Sequence, residues 1–333
     1  MAQITMKSVL MIGAAICMLA TQAYAERTMR MTVQVGANHP VGANTHFFAQ
    51  ELERISGGEL KVEVYDSAQL FKGQEVPQAI SSGAIDLGIV LADEYAGSVP
   101  AAGIFSVAFL FPDYQTLAKA AARDGEFRKT FDEILLGAGS RVLWWQDYGP
   151  VQLLSKGGPI ATPDDMKGKM VRALGKPSGD LIEAAGGSAV VIGGAEQFVA
   201  YQRGVVDIGM SGTTAVKSRA LYEVMDNVTM TNHSLAEFIA VINPALWGSM
   251  SEQEQAWVTE ASILAEQQLR ASTEAENVEA AKWLSDGGHA TVTELTPDQI
   301  AVWKEATKPA VDRFRQDAGE LGEKLLNALA ALE

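Results

Sequence analysis

EVPQAISSGAIDLG, residues 75–88, aligns without a gap to EQFVAYQRGVVDIG, residues 196–209, and five positions (Glu, Ala, Gly, Asp and Gly) are identical. Each copy predicts a helix, a glycine cap and a short strand with an aspartate near its start. Chance similarity between two short helix-turn-strand units is one explanation. A structural repeat is the other, and it predicts two lobes of similar topology, each ending a strand near a shared opening. That geometry suits a cleft.

Alternating strand and helix patterns surround both copies. Residues 29–35 alternate between apolar and polar types, residues 45–55 have apolar residues at helical spacing, and residues 60–65 alternate again. This pattern predicts a β-α-β unit with a largely parallel sheet. Residues 169–173 and 189–192 are predicted strands of a second lobe, which is therefore also α/β.

One long helix is predicted over residues 251–284. Ser251 and Glu254 form a capping-box pattern, neither glycine nor proline interrupts the segment, and Gly287 follows it. About 34 helical residues are roughly 50 Å long, which exceeds the width of an ordinary lobe. We therefore expect the helix to run along both lobes.

These patterns define the expected domain organisation. The expected fold class is α/β, in two lobes. Lobe I is expected to comprise residues 27–149 plus about 241–265, and lobe II residues 150–240 plus about 266–333.

Composition and charge narrow the possible functions. The chain has 333 residues, of which 47% are hydrophobic and 20% charged, as expected of a globular protein of about two domains. The net charge of −15 repels nucleic acid phosphates and anionic membrane surfaces. Nucleic acid binding is not expected.

The N-terminus has the pattern of an export signal. Lys7 precedes an apolar run over residues 9–19, and Ala-Tyr-Ala at 23–25 is a small-x-small cleavage pattern. The run is too short to span a bilayer, so residues 1–25 are predicted to be a signal peptide cleaved after Ala25. Cys17 is the single cysteine. The mature chain then has no disulfide, thiolate metal site or cysteine nucleophile, which favours the bacterial periplasm.

Catalytic signatures are missing from the sequence. It has no phosphate-binding loop, no dinucleotide-binding glycine motif, no nucleophile elbow and no zinc-protease helix motif. The four histidines are scattered singly, and most carboxylates fall on polar helix faces. We therefore expect no enzymatic activity, no cofactor and no metal site.

Arg172 is the most informative cation, because it lies inside the apolar strand segment Met170–Leu174. A guanidinium in a buried strand needs an anionic partner, since desolvating it alone costs several kcal/mol. From the residues alone, that partner is either a protein carboxylate or a ligand carboxylate. Trp145 and Tyr148 precede this lobe and belong either to the core or to a pocket wall.

Several further segments, taken in order and spacing, resemble the extracytoplasmic solute-binding proteins of tripartite ATP-independent periplasmic (TRAP) transporters, of the dicarboxylate-binding-protein type. The resemblance covers nearly all of residues 28–333. It is carried by DSAQLFKG (66–73), SGAIDL (82–87), FLFP (109–112), PDDMKGKMVR (163–172), QRGVVD (202–207), TNH (231–233) and Trp247.

The resemblance implies a two-lobe α/β periplasmic binding protein of the Venus-flytrap, type II-like fold, with the long helix spanning both lobes. Such a protein closes on a ligand and delivers it to a TRAP membrane permease. It also implies that Arg172 grips the ligand carboxylate, where a guanidinium fork gives two parallel charge-assisted hydrogen bonds. The partners implied are a small organic carboxylate and the permease subunits, and the protein itself is expected to be a monomer.

This sequence departs from the family pattern at three places. A second arginine is replaced by Val151-Gln152, a ligand-binding asparagine by Ser211, and an aromatic residue by Gly194. These losses remove polar contacts and bulk, so a small or partly apolar monocarboxylate is expected rather than a polyhydroxylated sugar acid.

The expected ligand contacts besides Arg172 lie where strands end, because open α/β sheets bind ligands beyond the carboxyl ends of their strands. They are Trp145, Tyr148, Leu91, Gln152, Ser211, Thr213, Asn38 and His39. Two other functions remain open from the sequence: a ligand-sensing component, and an exported α/β hydrolase.

Overall fold

The computed structural model describes residues 26–332, so the predicted signal peptide lies outside the described residues. The chain first forms β1 (Arg27–Val33), α1 (Pro40–Ile55), β2 (Leu60–Tyr65), α2 (Val76–Ser82), β3 (Leu87–Leu91), α3 (Tyr114–Ala120), α4 (Glu126–Gly137) and β4 (Arg141–Pro150). It then forms β5 (Gln152–Ser155), β6 (Met170–Ala173), α5 (Lys176–Ala184), β7 (Ser188–Val191), α6 (Gln197–Gln202), β8 (Gly209–Ser211), α7 (Thr213–Ser218) and β9 (Asn227–Met230). The last elements are β10 (Leu235–Ile242), α8 (Pro244–Ser249), α9 (Glu252–Asp286), β11 (Thr291–Glu294) and α10 (Pro297–Ala330).

The strands form two separate groups, one in each lobe. Lobe I is built on a five-stranded sheet in the order β2-β1-β3-β10-β4, in which β1, β2 and β3 are parallel and β10 is antiparallel to its neighbours. Lobe II is built on a four-stranded sheet, β11-β9-β5-β8, and on the parallel pair β6-β7. A bridge between Val171 and Ile208 joins these two parts. The two-lobe α/β fold predicted from the sequence is therefore confirmed.

The two aligned segments, residues 75–88 and 196–209, are equivalent in structure. Gly83 ends α2 with φ of 75°, and Gly204 follows α6 with φ of 68°, a conformation that glycine adopts without strain. Asp86 then accepts a hydrogen bond from the backbone N–H of Arg30, and Asp207 accepts one from that of Met170, at 2.7 and 2.8 Å. Each aspartate thus ties its unit to the neighbouring strand.

Helix α9 is continuous and joins the lobes. Its capping box is formed as predicted: Ser251 Oγ accepts from the backbone N–H of Glu254, while the Glu254 carboxylate accepts from that of Ser251. Such a cap stabilises a helix by about 1 kcal/mol. The helix packs against α1 and β4 in lobe I and against α7 and β11 in lobe II, so the predicted spanning helix is confirmed.

The lobe limits expected from the sequence need two corrections. Strand β10 pairs with β3 and β4, so the chain is back in lobe I from Leu235, whereas residues up to 240 were expected in lobe II. Helix α10 was also expected in lobe II, but only its first part packs there, where Trp303 donates to the carbonyl of Ala161. Its second part buries Leu325 and Leu329 in the core of lobe I, because these residues continue the apolar face beyond the kink at Gly319.

Candidate ligand-binding site

A small cavity lies between the lobes, where β3 and β8 end. About 20 Å³ of space remains there, which is room for roughly one water molecule and too little for an organic acid. The lining residues come from both lobes and are Gln34, Leu91, Glu94, Tyr148, Arg172, Leu174, Gly194, Gln197, Ser211, Arg219, Ala236 and Phe238.

Arg172 lies at the lobe II side of this cavity and is 4% exposed. Its Nε donates to the carbonyl of Ile192 at 3.0 Å, and Nη1 donates to the carbonyl of Met210. The side-chain amide of Gln197 is oriented so that both its oxygen and its nitrogen have partners. In this orientation Oε1 of Gln197 accepts from Nη1 and Nη2 of Arg172 at 2.8 and 3.0 Å. These acceptors are all neutral. They fix the orientation of the guanidinium without forming a salt bridge to it.

Arg219 is a second cation on the same side of the cavity. It follows α7 and lies over Gly194: a Cβ placed on that glycine would be 2.8 Å from Nη2 of Arg219. Loss of hydration and repulsion by Arg172 lower the pKa of Arg219. Within residues 26–332, neither arginine has a carboxylate within salt-bridge distance. Lobe II therefore presents two guanidinium groups that form no salt bridge with any carboxylate of the described residues.

The facing wall, from lobe I, is partly acidic and partly apolar. Burial and the neighbouring Asp93 together raise the pKa of Glu94 to about 7, although Arg172 opposes the shift. Asp93 itself has a pKa near 7 because it is buried; its carboxylate accepts a hydrogen bond from Ser106. Leu91 and Phe238 supply apolar surface beside these acids.

Tyr148 closes the hinge side of the cavity. Its hydroxyl accepts from the backbone N–H of Gly212 at 3.0 Å and lies 3.3 Å from Ser211 Oγ, so it joins β4 to the end of β8. Its ring stacks on His39 with 5.5 Å between the centroids. The His39 ring also contacts Thr214 of lobe II at 3.3 Å, and burial together with Arg219 lowers the pKa of His39 to about 3. The imidazole is therefore neutral at physiological pH.

Four of the nine predicted site residues line the cavity: Arg172, Tyr148, Ser211 and Leu91. His39 lies one layer behind it, where its Nδ1 also accepts from the backbone N–H of Val41 at the start of α1. Asn38 lies at the outer edge of the cleft and donates to the carbonyl of Ser218 across it, at 3.0 Å. These two residues contact the opposite lobe and do not line the cavity.

Trp145 was expected in the pocket, and the structure places it in the core of lobe I instead. It is fully buried, packs edge-on against Phe105 and Phe131 at 5.2 Å between centroids, and donates to Asp132. Successive side chains of a strand face opposite sides, so Trp145 and Tyr148, three residues apart, face opposite sides of β4. Trp144 is buried as well, against Phe48, because both faces of this sheet are covered.

Gln152 and Thr213 also lie outside the cavity, in a groove of about 530 Å³ on the hinge side of the molecule. Gln152 exchanges hydrogen bonds with Asn232, at 2.6 and 3.0 Å. Thr213 Oγ1 lies 3.0 Å from two oxygens of Asn277 and ties α7 to α9. Both residues hold the hinge together rather than face a solute.

The sequence analysis missed Glu94, Gln197 and Arg219. Glu94 lies three residues after β3, the strand of the first aligned segment, and Gln197 lies within the second aligned segment, next to Glu196. Their proximity to these segments could have identified both residues. Arg219 carries no such signal, because its position at the cavity depends on how the chain turns after α7.

The fold and the cavity together define the class: a two-lobe solute-binding protein. The chain belongs to the family described as bacterial extracellular solute-binding protein, family 7, whose model matches residues 31–317. This confirms the resemblance to the TRAP solute-binding proteins noted from the sequence. Within residues 26–332, no helix is both long and apolar enough to cross a membrane.

Individual relatives agree with this assignment. The C4-dicarboxylate-binding periplasmic protein of Rhodobacter capsulatus is 26% identical over 290 residues, which are 86% of this chain and 85% of that protein. A sugar acid binding protein from Advenella mimigardefordensis, solved with galactonate, superposes with a TM-score of 0.87 at 22% identity over 93% of this chain and 99% of its own. A TRAP solute-binding protein from Sulfurospirillum deleyianum, solved with succinate, gives a TM-score of 0.85 at 24% identity over 93% and 100%. At these identities the two structures establish the common fold.

Proposed function

We propose that this protein captures a small organic carboxylate in the interlobe cavity and delivers it to the membrane permease of a TRAP transporter. The observation that carries the proposal is Arg172, a buried guanidinium whose acceptors are all neutral and whose charge faces the cavity. A carboxylate there would replace the amide oxygen of Gln197 and accept two parallel charge-assisted hydrogen bonds. Binding, and not turnover, is the activity we assign.

The proposed setting follows from the export signal and the family. We propose that cleavage after Ala25 releases the mature chain into the periplasm as a monomer. There it would bind its solute between the lobes and dock on the permease in the closed form. Family membership supports this partner.

The experiment is calorimetric titration with a carboxylate panel of monocarboxylates, dicarboxylates, 2-oxo acids and sugar acids, on the wild type, Arg172→Ala and Arg172→Lys. Truncating one partner of a buried charged pair costs about 2–5 kcal/mol, so Arg172→Ala should weaken binding about 30-fold or more. Arg172→Lys should weaken it less, because lysine keeps the charge and loses the fork. The control is Arg203→Ala, which removes an exposed arginine of the same lobe.

Binding that survives Arg172→Ala within a few fold, with an unchanged melting temperature of the free protein, would contradict the role proposed for Arg172. Chemical conversion of a panel member, seen by mass spectrometry of the recovered ligand, would contradict the assignment as a binding protein.

A further inference from the structure

A groove of about 530 Å³ lies along the hinge, and the proposed function does not use it. We call it the hinge groove. Tyr114 and Leu235 of lobe I form one wall, Met230 and Val292 of lobe II form another, and side chains of α9 line a third side. Small-molecule sites have volumes of about 300–1,000 Å³. The hinge groove therefore has room for a small organic molecule that contacts both lobes.

The hinge groove and the interlobe cavity lie on opposite sides of the strands that cross between the lobes. Leu235 lines the groove, and the next residue of β10, Ala236, lines the cavity. Neighbouring side chains of a strand point in opposite directions. Among the described residues, none lines both the groove and the cavity. The hinge groove therefore lies behind the hinge as seen from the cavity.

This position couples the groove to lobe closure. The structure is a closed form, because Gly194 bonds to Gln34 and Asn38 bonds to Ser218 across the cleft. When the lobes rotate apart about the hinge strands, the cavity widens and the walls behind the hinge move towards each other. The groove is therefore wider in the closed form than in an open one, and a molecule that fills it opposes opening.

Apolar side chains form much of the hinge groove. Val278 of α9 lies in it and is 65% exposed. The other large apolar side chains are Phe111, Leu235, Met230 and Val292. Exposed apolar surface in a groove of this size is typical of a site that binds an apolar group.

The charged side chains of the hinge groove are mainly acidic. Among the described residues that line it, Asp113, Glu274 and Glu294 are acidic and Lys282 is basic. Asp113 caps α3, where it accepts from the backbone N–H of Thr116. Glu274 and Glu294 form no salt bridge within residues 26–332. Carboxylates beside apolar surface complement a molecule with a positive charge and an apolar body.

Tyr114 adds a polar group to the same groove. Its Oη has no hydrogen-bond partner among the described residues. Burial, Glu274 and Asp147 raise the pKa of Tyr114, so the hydroxyl is protonated at physiological pH. A buried hydroxyl without a partner costs free energy, which a hydrogen bond from a bound ammonium group would recover. Tyr114 and Glu274 thus offer two acceptors to one cation.

We propose that the hinge groove is an effector site for small primary amines with an aromatic body, and that an amine bound there stabilises the closed form. The amine and the carboxylate solute then raise each other's affinity by the same factor, because their binding free energies are linked. This coupling rests on the proposed function. The effect of an amine on the lobes of the solute-free protein does not.

The test titrates tryptamine and phenethylamine into the wild type by calorimetry, with their uncharged counterparts tryptophol and 2-phenylethanol. At least one amine should bind, and its alcohol should bind at least about tenfold more weakly, because it lacks the charge-assisted contacts. With that amine at saturation, the dissociation constant of the tightest-binding acid of the panel should fall at least about fivefold. Small-angle X-ray scattering of the solute-free protein should show a smaller radius of gyration with the amine than without it.

Matched variants separate the groove from general effects of charge and bulk. Glu274→Gln removes a carboxylate of the groove and should weaken amine binding at least about threefold, as expected for an exposed charge. Glu279→Gln removes an exposed carboxylate of α9 outside the groove and should leave binding unchanged. Ala281→Trp fills the groove and should abolish amine binding, whereas Ala275→Trp, at an exposed position of the same helix, should retain it.

The inference is overturned if neither amine binds, if the alcohols bind as tightly as the amines, or if the two tryptophan variants bind an amine equally well. It is also overturned if a bound amine leaves the radius of gyration unchanged, or leaves the affinity for a bound acid unchanged. If an amine lowers the radius of gyration while no acid of the panel binds, the effector site stands and the proposed function falls. If acids bind through Arg172 and the amines do not bind, the proposed function stands and the effector site falls.

Discussion

Glu94 is the acidic side chain of lobe I that lines the cavity, opposite Arg172 and Arg219. Burial and the neighbouring Asp93 raise the pKa of Glu94 to about 7, and Glu196 across the cleft makes a smaller contribution in the same direction. Arg172 acts in the opposite direction. Above pH 7 the cavity therefore contains a carboxylate that repels an anionic solute, and below pH 7 it contains a neutral carboxyl group.

This predicts that affinity rises as the pH falls from 8 to 6. An anion in the cavity raises the pKa of Glu94 further, so binding takes up a proton, and the dissociation constant should fall by about 3- to 10-fold over that interval. Calorimetric titrations at pH 6, 7 and 8 would measure this, with a panel acid whose carboxyl pKa lies below about 5. Glu94→Gln should remove most of the pH dependence.

The matched control for this prediction is Glu196→Gln, which removes an exposed carboxylate at the edge of the cleft. It should leave the pH dependence nearly unchanged. An equal slope in the wild type and in Glu94→Gln would show that another group takes up the proton.

Only some of the individual site residues could be predicted from the sequence. Arg172 could be found because an arginine inside an apolar strand is chemically conspicuous. The expectation for Trp145 was wrong because a short strand segment does not say whether one or both faces of its sheet are covered. Arg219 could not be found, because its place depends on tertiary contacts with Gly194 rather than on local sequence.

The helices and strands themselves follow from local signals more closely than the side chains do. The aligned segments, residues 75–88 and 196–209, predicted two helix-turn-strand units, and the capping box at Ser251 predicted the start of α9. Residues of about 266–333 were assigned to lobe II as one block, whereas helix α10 crosses to lobe I after Gly319. The crossing depends on which core is within reach after Gly319, and that is a property of the assembled lobes.

Helix α10 gives a stability prediction. Leu325 is fully buried in the core of lobe I, whereas Leu321, one turn away on the same helix, is 42% exposed. Leu325→Ala should lower the free energy of unfolding by about 2–5 kcal/mol through lost burial and a residual cavity. Leu321→Ala should change it by less than about 1 kcal/mol. Urea denaturation followed by circular dichroism would measure both, and equal effects would mean that this part of α10 does not pack in lobe I.

In the whole molecule, several polar contacts cross the cleft, and the exposed ones are weak. Lys72 pairs with Glu196 at 2.6 Å, but both side chains are about half exposed, and such pairs contribute about 0–1 kcal/mol. The bonds from Gly194 to Gln34 and from Asn38 to Ser218 add two single hydrogen bonds. The His39 ring also contacts Thr214 across the cleft, and residues 100–106 of lobe I pack against α5 of lobe II. In this account the solute, bound to groups from both lobes, supplies the remaining free energy of closure.

Arg172 is proposed to hold a carboxylate between the lobes. The decisive experiment is a crystal structure of the protein with the tightest-binding acid of the panel. We expect the solute to be enclosed by both lobes, with its carboxylate accepting two hydrogen bonds of about 2.7–2.9 Å from the Arg172 guanidinium. A solute bound elsewhere, or one in the cavity while Arg172 keeps only its contacts to Ile192, Met210 and Gln197, would contradict it.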